Sequence, residues 1–138
     1  QTCALPIFDL MEHQKTITSK GGTMRLGAYP CEIAEGSLAY CIYQQNNISE
    51  RHRHRWEFNN KYISDYINAG MQTSGKNPQN GLVEIIELKN HPFFIGVQYH
   101  PELKSTVENP HPVFVGFVRA AKDFSNKKIN AKTEKAMA

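Results

Sequence analysis

Cysteine, tryptophan and long apolar runs are all scarce in this chain. Its 138 residues include three cysteines, Cys3, Cys31 and Cys41, and a single tryptophan, Trp56. Three cysteines so placed form no disulfide framework, and a reducing cytoplasm is the expected setting. No apolar run approaches the ~20 residues that a membrane span needs. The start has no charged segment leading into an apolar one, so no signal peptide is read there. Charge of one sign is lacking too: the formal net charge is +3 with six histidines counted as neutral, a weak argument for a nucleic-acid partner. No internal repeat is evident. An initiating methionine is also missing, from which a piece of a longer protein is expected.

At this length the chain holds at most one domain. Residues 1–7 can be back-translated into a common sequencing-adapter sequence. They are expected to be a non-native leader, with an ordinary strand start as the alternative. Residues 8–124 carry the folded part. Residues 125–138, rich in Asn, Lys, Ala and Thr, are expected to form a solvated, poorly ordered tail.

Between these ends the pattern is mixed α/β. Gly21-Gly22 marks a turn. An extended stretch follows over 24–33, with Pro30 as a break or edge. A short helix is predicted over 37–43, with Ser37 as its N-cap. Residues 48–56 read as extended or loop. A helix is predicted over 60–69, with Tyr62, Ile63, Tyr66 and Ile67 at helical spacing and Gly70 past its end. Strands are predicted over 71–74, 82–88 and 93–99, the last two pairing as a hairpin around Asn90-His91-Pro92. A closing helix over 112–124 should turn Phe114, Phe117, Val118 and Ala121 to the core.

The most informative stretch is Gly96-Val97-Gln98-Tyr99-His100-Pro101-Glu102. The apolar run Phe93-Phe94-Ile95-Gly96-Val97 reads as a strand that the proline stops. His100 and Glu102 then emerge together at its carboxyl end, where open α/β sheets hold ligands. A histidine beside a carboxylate is the base and orienter of a nucleophilic triad. A lone strand-end histidine can equally be structural. Arg51-His52-Arg53-His54-Arg55 is a second feature. By charge pattern alone it reads as a solvated basic cluster. With Trp56 it could also contact RNA, and His52, His54 and His100 could be tried as a metal set, although no carboxylate pair or cysteine completes one.

The segments 96–105 and His111-Pro112-Val113-Phe114 together resemble the C-terminal part of class I (triad-type) glutamine amidotransferase domains. Gly21-Gly22-Thr23-Met24-Arg25-Leu26-Gly27, the block from Glu50 to Asn60, and Leu82-Val83-Glu84-Ile85-Ile86-Glu87 are similar to the CTP synthase family within that class. The likeness runs in order from about Phe8 to Lys122. It implies the C-terminal portion of a flavodoxin-like, doubly wound α/β domain with a Cys-His-Glu triad. His100 and Glu102 match the family's histidine and glutamate. Arg55 matches the arginine that holds the carboxylate of glutamine. Trp56 stands where the family usually has tyrosine, whose backbone contacts glutamine.

The chemistry suits those residue types. A neutral thiol is mostly unreactive at pH 7. A histidine can take its proton and later hand it to ammonia, and a carboxylate can fix the imidazole tautomer. An arginine can grip an α-carboxylate with two parallel hydrogen bonds, which a lysine cannot reproduce.

The family's nucleophile belongs to a Gly-x-Cys-x-Gly elbow, and no such elbow occurs here. Cys31 follows Pro30 on an expected strand and Cys41 lies in an expected helix. The resemblance therefore implies a portion unable to hydrolyse glutamine alone, with a degenerate, non-catalytic domain as the other reading. No metal or cofactor is expected on these residues. ATP and Mg2+ are implied for a synthetase domain, GTP as an activator, and a homotetramer for the whole enzyme. Glutamine is the implied substrate, and neither nucleic acid nor membrane is expected as a partner.

Overall fold

The computed structural model describes residues 8–10 and 24–137. Its centre is a five-stranded antiparallel sheet in the order β3-β2-β5-β6-β7. These strands are β2 (Arg25–Ile33), β3 (Asn47–His54), β5 (Met71–Lys76), β6 (Val83–Leu88) and β7 (Ile95–Val97). A small antiparallel pair joins β1 (Phe8–Leu10) to β4 (Trp56–Phe58). The helices are α1 (Leu38–Tyr43), α2 (Ile63–Asn68) and α3 (Pro112–Met137). The α/β class is as expected. Every strand pair among the described residues is antiparallel, so the parallel, doubly wound part of the expected fold is not among them. The suspected leader 1–7 and the Gly21-Gly22 turn lie outside the described residues.

β2 and β3 form the longest ladder, from Arg25 opposite His54 to Glu32 opposite Asn47. Pro30 is tolerated because β5 meets β2 only at Glu32 and Ile33, which leaves Pro30 where β2 has one partner. Side chains alternate across β3: Ile48, Glu50 and His52 are buried, while Arg51 and Arg53 point outward. The apolar core gathers Cys31, Ile33, Ala39, Ile48, Ile85 and Tyr99, with Tyr40, Tyr43, Ile95 and Val97 packed against it. Gly75 lets β5 and β6 approach. A Cβ there would lie 2.5 Å from Ile85 Cγ1 and 2.8 Å from Cys31 Sγ.

The short helix α1 is fixed at its start from two directions. The Ser37 hydroxyl accepts the Tyr40 N–H at 3.0 Å, the expected N-cap. The buried Glu87 carboxylate on β6 accepts the Leu38 and Ala39 N–H groups at 2.9 and 2.7 Å, and the Gln72 amide at 2.8 Å. A helix this short is marginal by itself, so this cap supplied from the sheet holds it in place.

Four expectations change. The helix over 60–69 is a 3-10 turn, Asn60–Tyr62, running into the shorter α2; Gly70, at φ +88°, ends it as predicted. The strand over 93–99 narrows to Ile95–Val97, although it does pair with β6 as a hairpin. Phe114, Phe117, Val118 and Ala121 do not face the core: all four are exposed. The stripe that packs is Val113 and Gly116. Val113 is buried, and a Cβ on Gly116 would meet Phe93 at 3.0 Å and Ile42 at 3.2 Å. Two adjacent apolar stripes run along this helix, and periodicity alone does not choose between them. Finally, α3 runs on to Met137, past the expected helix end at Phe124. Its side chains over 125–130 are solvated, and the Lys, Ala and Glu that follow are strong helix formers.

Candidate active site

β7 delivers the chain to His100, and Pro101 opens a 3-10 turn, Pro101–Lys104. The His100 N–H donates to the Arg51 carbonyl at 2.8 Å, which pins this turn to β3. The His100 Nδ1 lies 2.7 Å from Glu102 Oε1. That hydrogen bond holds the Glu102 carboxyl below its usual range. The ionised carboxylate only accepts, so Nδ1 carries the proton and the Nε2 lone pair is left to act as a base. The His100 side chain is 38% exposed, which leaves it open to a reactant.

Arg55 and Trp56 follow on the link between β3 and β4. Arg55 is half-buried and Trp56 is 52% exposed. Thus His100 and Glu102 are brought into contact with one another. Arg55 directly follows β3, the strand on which the His100 turn is pinned.

The histidines of the Arg-His alternation turn inward, away from solvent. His52 Nδ1 and His54 Nε2 are 2.7 Å apart. Burial, together with the Arg25 cation, pushes the two rings down to about 3 and about 4, so both are neutral at pH 7. Arg25 is itself buried between two carboxylates, 2.5 Å from Glu84 and 3.3 Å from Glu57. One guanidinium serves two acids. Burial pushes the more loosely held Glu57 up to about 7, against the pull of Arg25. Among the described residues, no group of three or more His, Cys, Asp or Glu side chains is placed to hold a metal ion.

A second polar group lies behind the turn. Glu50, 2% exposed, accepts from His111 Nε2 at 3.1 Å and from the Tyr43 hydroxyl at 3.3 Å. The Tyr43 hydroxyl is also 2.9 Å from that of Tyr99. Lys104 Nζ lies 3.4 Å from Glu50 and donates to the Ser49 carbonyl at 2.7 Å. Burial alone would raise the Glu50 carboxyl. His111 and Lys104 more than offset it and hold Glu50 below its usual range. The sequence blocks contain Arg25, Glu50 and His111 without assigning a role to them, and Tyr43 only ends a predicted helix. The available signal was the alternation of β3, which puts Glu50 on the same face as His52.

Cys31 is 1% exposed, and burial, helped by Glu84, pushes its thiol up to about 12. Such a thiol is protonated and inert at neutral pH. Cys41 is exposed on α1, and Cys3 is outside the described residues.

The family profile for class-I glutamine amidotransferases matches residues 2–120. A CTP synthase of Cytophaga hutchinsonii is 63% identical over 125 residues, which are 91% of this chain and 23% of that protein. One from Flavobacterium johnsoniae is 66% identical over 116 residues, 84% of this chain and 22% of that protein. The chain thus spans about a quarter of the length of these relatives. Among solved structures, the glutaminase domain of Trypanosoma brucei CTPS with bound acivicin superposes with a TM-score of 0.75 at 33% identity. The match covers 85% of this chain and 46% of that one. In sequence and in fold alike, this chain belongs to the class-I glutamine amidotransferase family.

Proposed function

We propose that this chain is part of a CTP synthase and supplies the base, the orienter and a glutamine clamp of its glutaminase site. The observation that carries the reading is the 2.7 Å His100–Glu102 hydrogen bond on a turn pinned to β3. The CTP synthase relatives, above 60% identity, support the choice within the family.

In this reading His100 Nε2 takes the proton of a cysteine thiol, and the thiolate attacks the carboxamide carbon of glutamine. The C–N bond breaks as His100 returns the proton to the departing ammonia. A water then gives its proton to His100, attacks the thioester and releases glutamate and the free thiolate. Glu102 holds the Nδ1 proton throughout and stabilises the imidazolium. Arg55 clamps the α-carboxylate of glutamine, and the Trp56 backbone borders the same substrate.

With Cys3 in the suspected non-native leader, the nucleophile is neither Cys31, buried and protonated, nor Cys41, exposed on α1 without a glycine elbow. It belongs to a segment beyond this sequence, and the 138-residue chain alone is inactive on glutamine. The ammonia aminates UTP to CTP in a synthetase domain that uses ATP and Mg2+, with GTP as activator. The whole enzyme is a cytoplasmic homotetramer. None of those nucleotides or metals is assigned to residues of this chain.

The test is a chimera in which this chain replaces the matching segment of the Cytophaga hutchinsonii CTP synthase. The chimera is expected to make CTP from either glutamine or ammonia. His100→Ala should lose glutamine-dependent synthesis by about a thousandfold or more and keep the ammonia-dependent rate. Equal rates from glutamine with and without His100 would sink the reading.

A further inference from the structure

We propose that Glu50 is a positioning residue: its buried carboxylate fixes the His100–Glu102 turn on β3 by gripping the residues on either side of it. The inference rests on the glutaminase reading above. Tyr99 immediately precedes His100, and Lys104 follows Glu102 by two residues. Both are tied to Glu50.

On the near side, the hydrogen bonds run in one direction. Tyr43 has a single proton, and Glu50 only accepts when ionised, so Tyr43 donates to Glu50 at 3.3 Å. Tyr99 then donates to Tyr43 at 2.9 Å. On the far side, Lys104 reaches Glu50 Oε2 at 3.4 Å and the carbonyl of the neighbouring Ser49 at 2.7 Å. A third anchor comes from His111, at the start of α3. The Val113 N–H donates to His111 Nδ1 at 3.3 Å, which leaves the ring proton on Nε2, 3.1 Å from Glu50. The His111 N–H also donates to Ser105 Oγ at 3.0 Å, closing the loop that leaves the turn. Three segments (α1, the turn and the head of α3) thus converge on one carboxylate.

The turn needs this support. Pro101 is buried at its start, but Glu102, Leu103 and Lys104 are exposed, so little apolar burial holds the rest. The backbone tie is a single hydrogen bond, from His100 to Arg51. Without the Glu50 charge, Lys104 loses its ionic partner and the Tyr99–Tyr43 chain loses its strong acceptor. The imidazole would then wander relative to the nucleophile, and a displacement of about 1 Å is costly to a proton-transfer step. Glu50 itself is 2% exposed and therefore closed to a reactant.

The chimera tests this with Glu50→Gln, which keeps the shape and removes the charge. The glutamine-dependent kcat should fall about tenfold to a hundredfold. The KM for glutamine should stay within about threefold and the ammonia-dependent kcat within about twofold. Glu50→Asp should recover part of the loss. A merely structural Glu50 would lower both rates together through loss of folded protein. Lys104→Met cuts one arm at an exposed residue and should lower the same kcat about threefold to tenfold. If Glu50→Gln does not fold, Lys104→Met decides by the same criterion. The inference is overturned if the variants that fold keep their glutamine-dependent kcat within about twofold while His100→Ala abolishes it; the glutaminase reading then stands. If His100→Ala is also active on glutamine, the reading and the inference fall together.

Discussion

Beside the apolar core, a group of polar residues is buried around Glu50 and Arg25, whereas large apolar residues of α3 are exposed. Arg25, Glu50, His52, Glu57, Glu84 and His111 are all 4% exposed or less. Phe114, Phe117, Val118 and Phe124 are between 41% and 64% exposed. Each region reverses the ordinary distribution, and the costs differ. Buried charge must be paired and hydrogen-bonded or it destabilises the fold. Exposed aromatics cost little folding energy but promote association. The polar region therefore constrains its residues tightly, while the apolar face tolerates change.

The largest effect should come from unpairing the interior. Arg25→Met leaves Glu57 and Glu84 buried without a cation, and stability should fall on the order of 3–5 kcal/mol. A denaturation midpoint close to the parent's would contradict the comparison at its root.

Acidity sharpens it next. Glu57 is raised from 4.5 to about 7 by burial, so between those values the folded state binds the proton that the unfolded state releases. This carboxyl therefore lowers stability as pH rises from about 4.5 to about 7. His52 and His54 are depressed and act in the opposite sense, losing stability as pH falls below their ordinary range. Comparing Glu57→Gln with the parent isolates the carboxyl. The parent's stability relative to the variant should drop by roughly 2–3 kcal/mol across that window. A pH-independent difference would show that folding leaves the Glu57 pKa unshifted.

Gly75→Ala comes third. The new methyl meets Ile85 and Cys31 Sγ inside van der Waals distance, and overpacking of this kind costs about 1–3 kcal/mol. Thermal melting checks it, and an unchanged melting point would mean that β5 and β6 can part without cost.

The apolar face should respond least. Val118→Ser and Phe124→Ser should each change stability by less than about 0.5–1 kcal/mol. They should nevertheless raise the soluble fraction when the chain is expressed alone, where the parent is expected to aggregate. A soluble, cooperatively unfolding monomer without either substitution would remove the reason for expecting that gain.

What the sequence revealed follows the same divide. Local chemistry was legible. Ser37 caps α1, Gly70 ends α2, the 82–99 stretch is a hairpin, and His100 meets Glu102 two residues away. The convergence on Glu50 was not, because it is made by register. His111 is 61 residues from Glu50, and Glu87 is 48 residues from the Ala39 amide that it caps. An isolated glutamate in an alternating strand gives no sign of what will lie opposite. The orientation of α3 departs from its sequence periodicity for a related reason. Gly116 packs because Phe93 and Ile42 are there to receive it, and those partners come from other elements.

If His100 activates a thiol, the reactivity of that thiol reports it most directly. In the chimera, the rate of iodoacetamide labelling at the relative's nucleophilic cysteine would be followed against pH by mass spectrometry, with and without His100→Ala. The account predicts rapid labelling at pH 7 with His100 present, and a drop on the order of tenfold or more without it as the thiol returns to its ordinary pKa. Identical labelling profiles would contradict it.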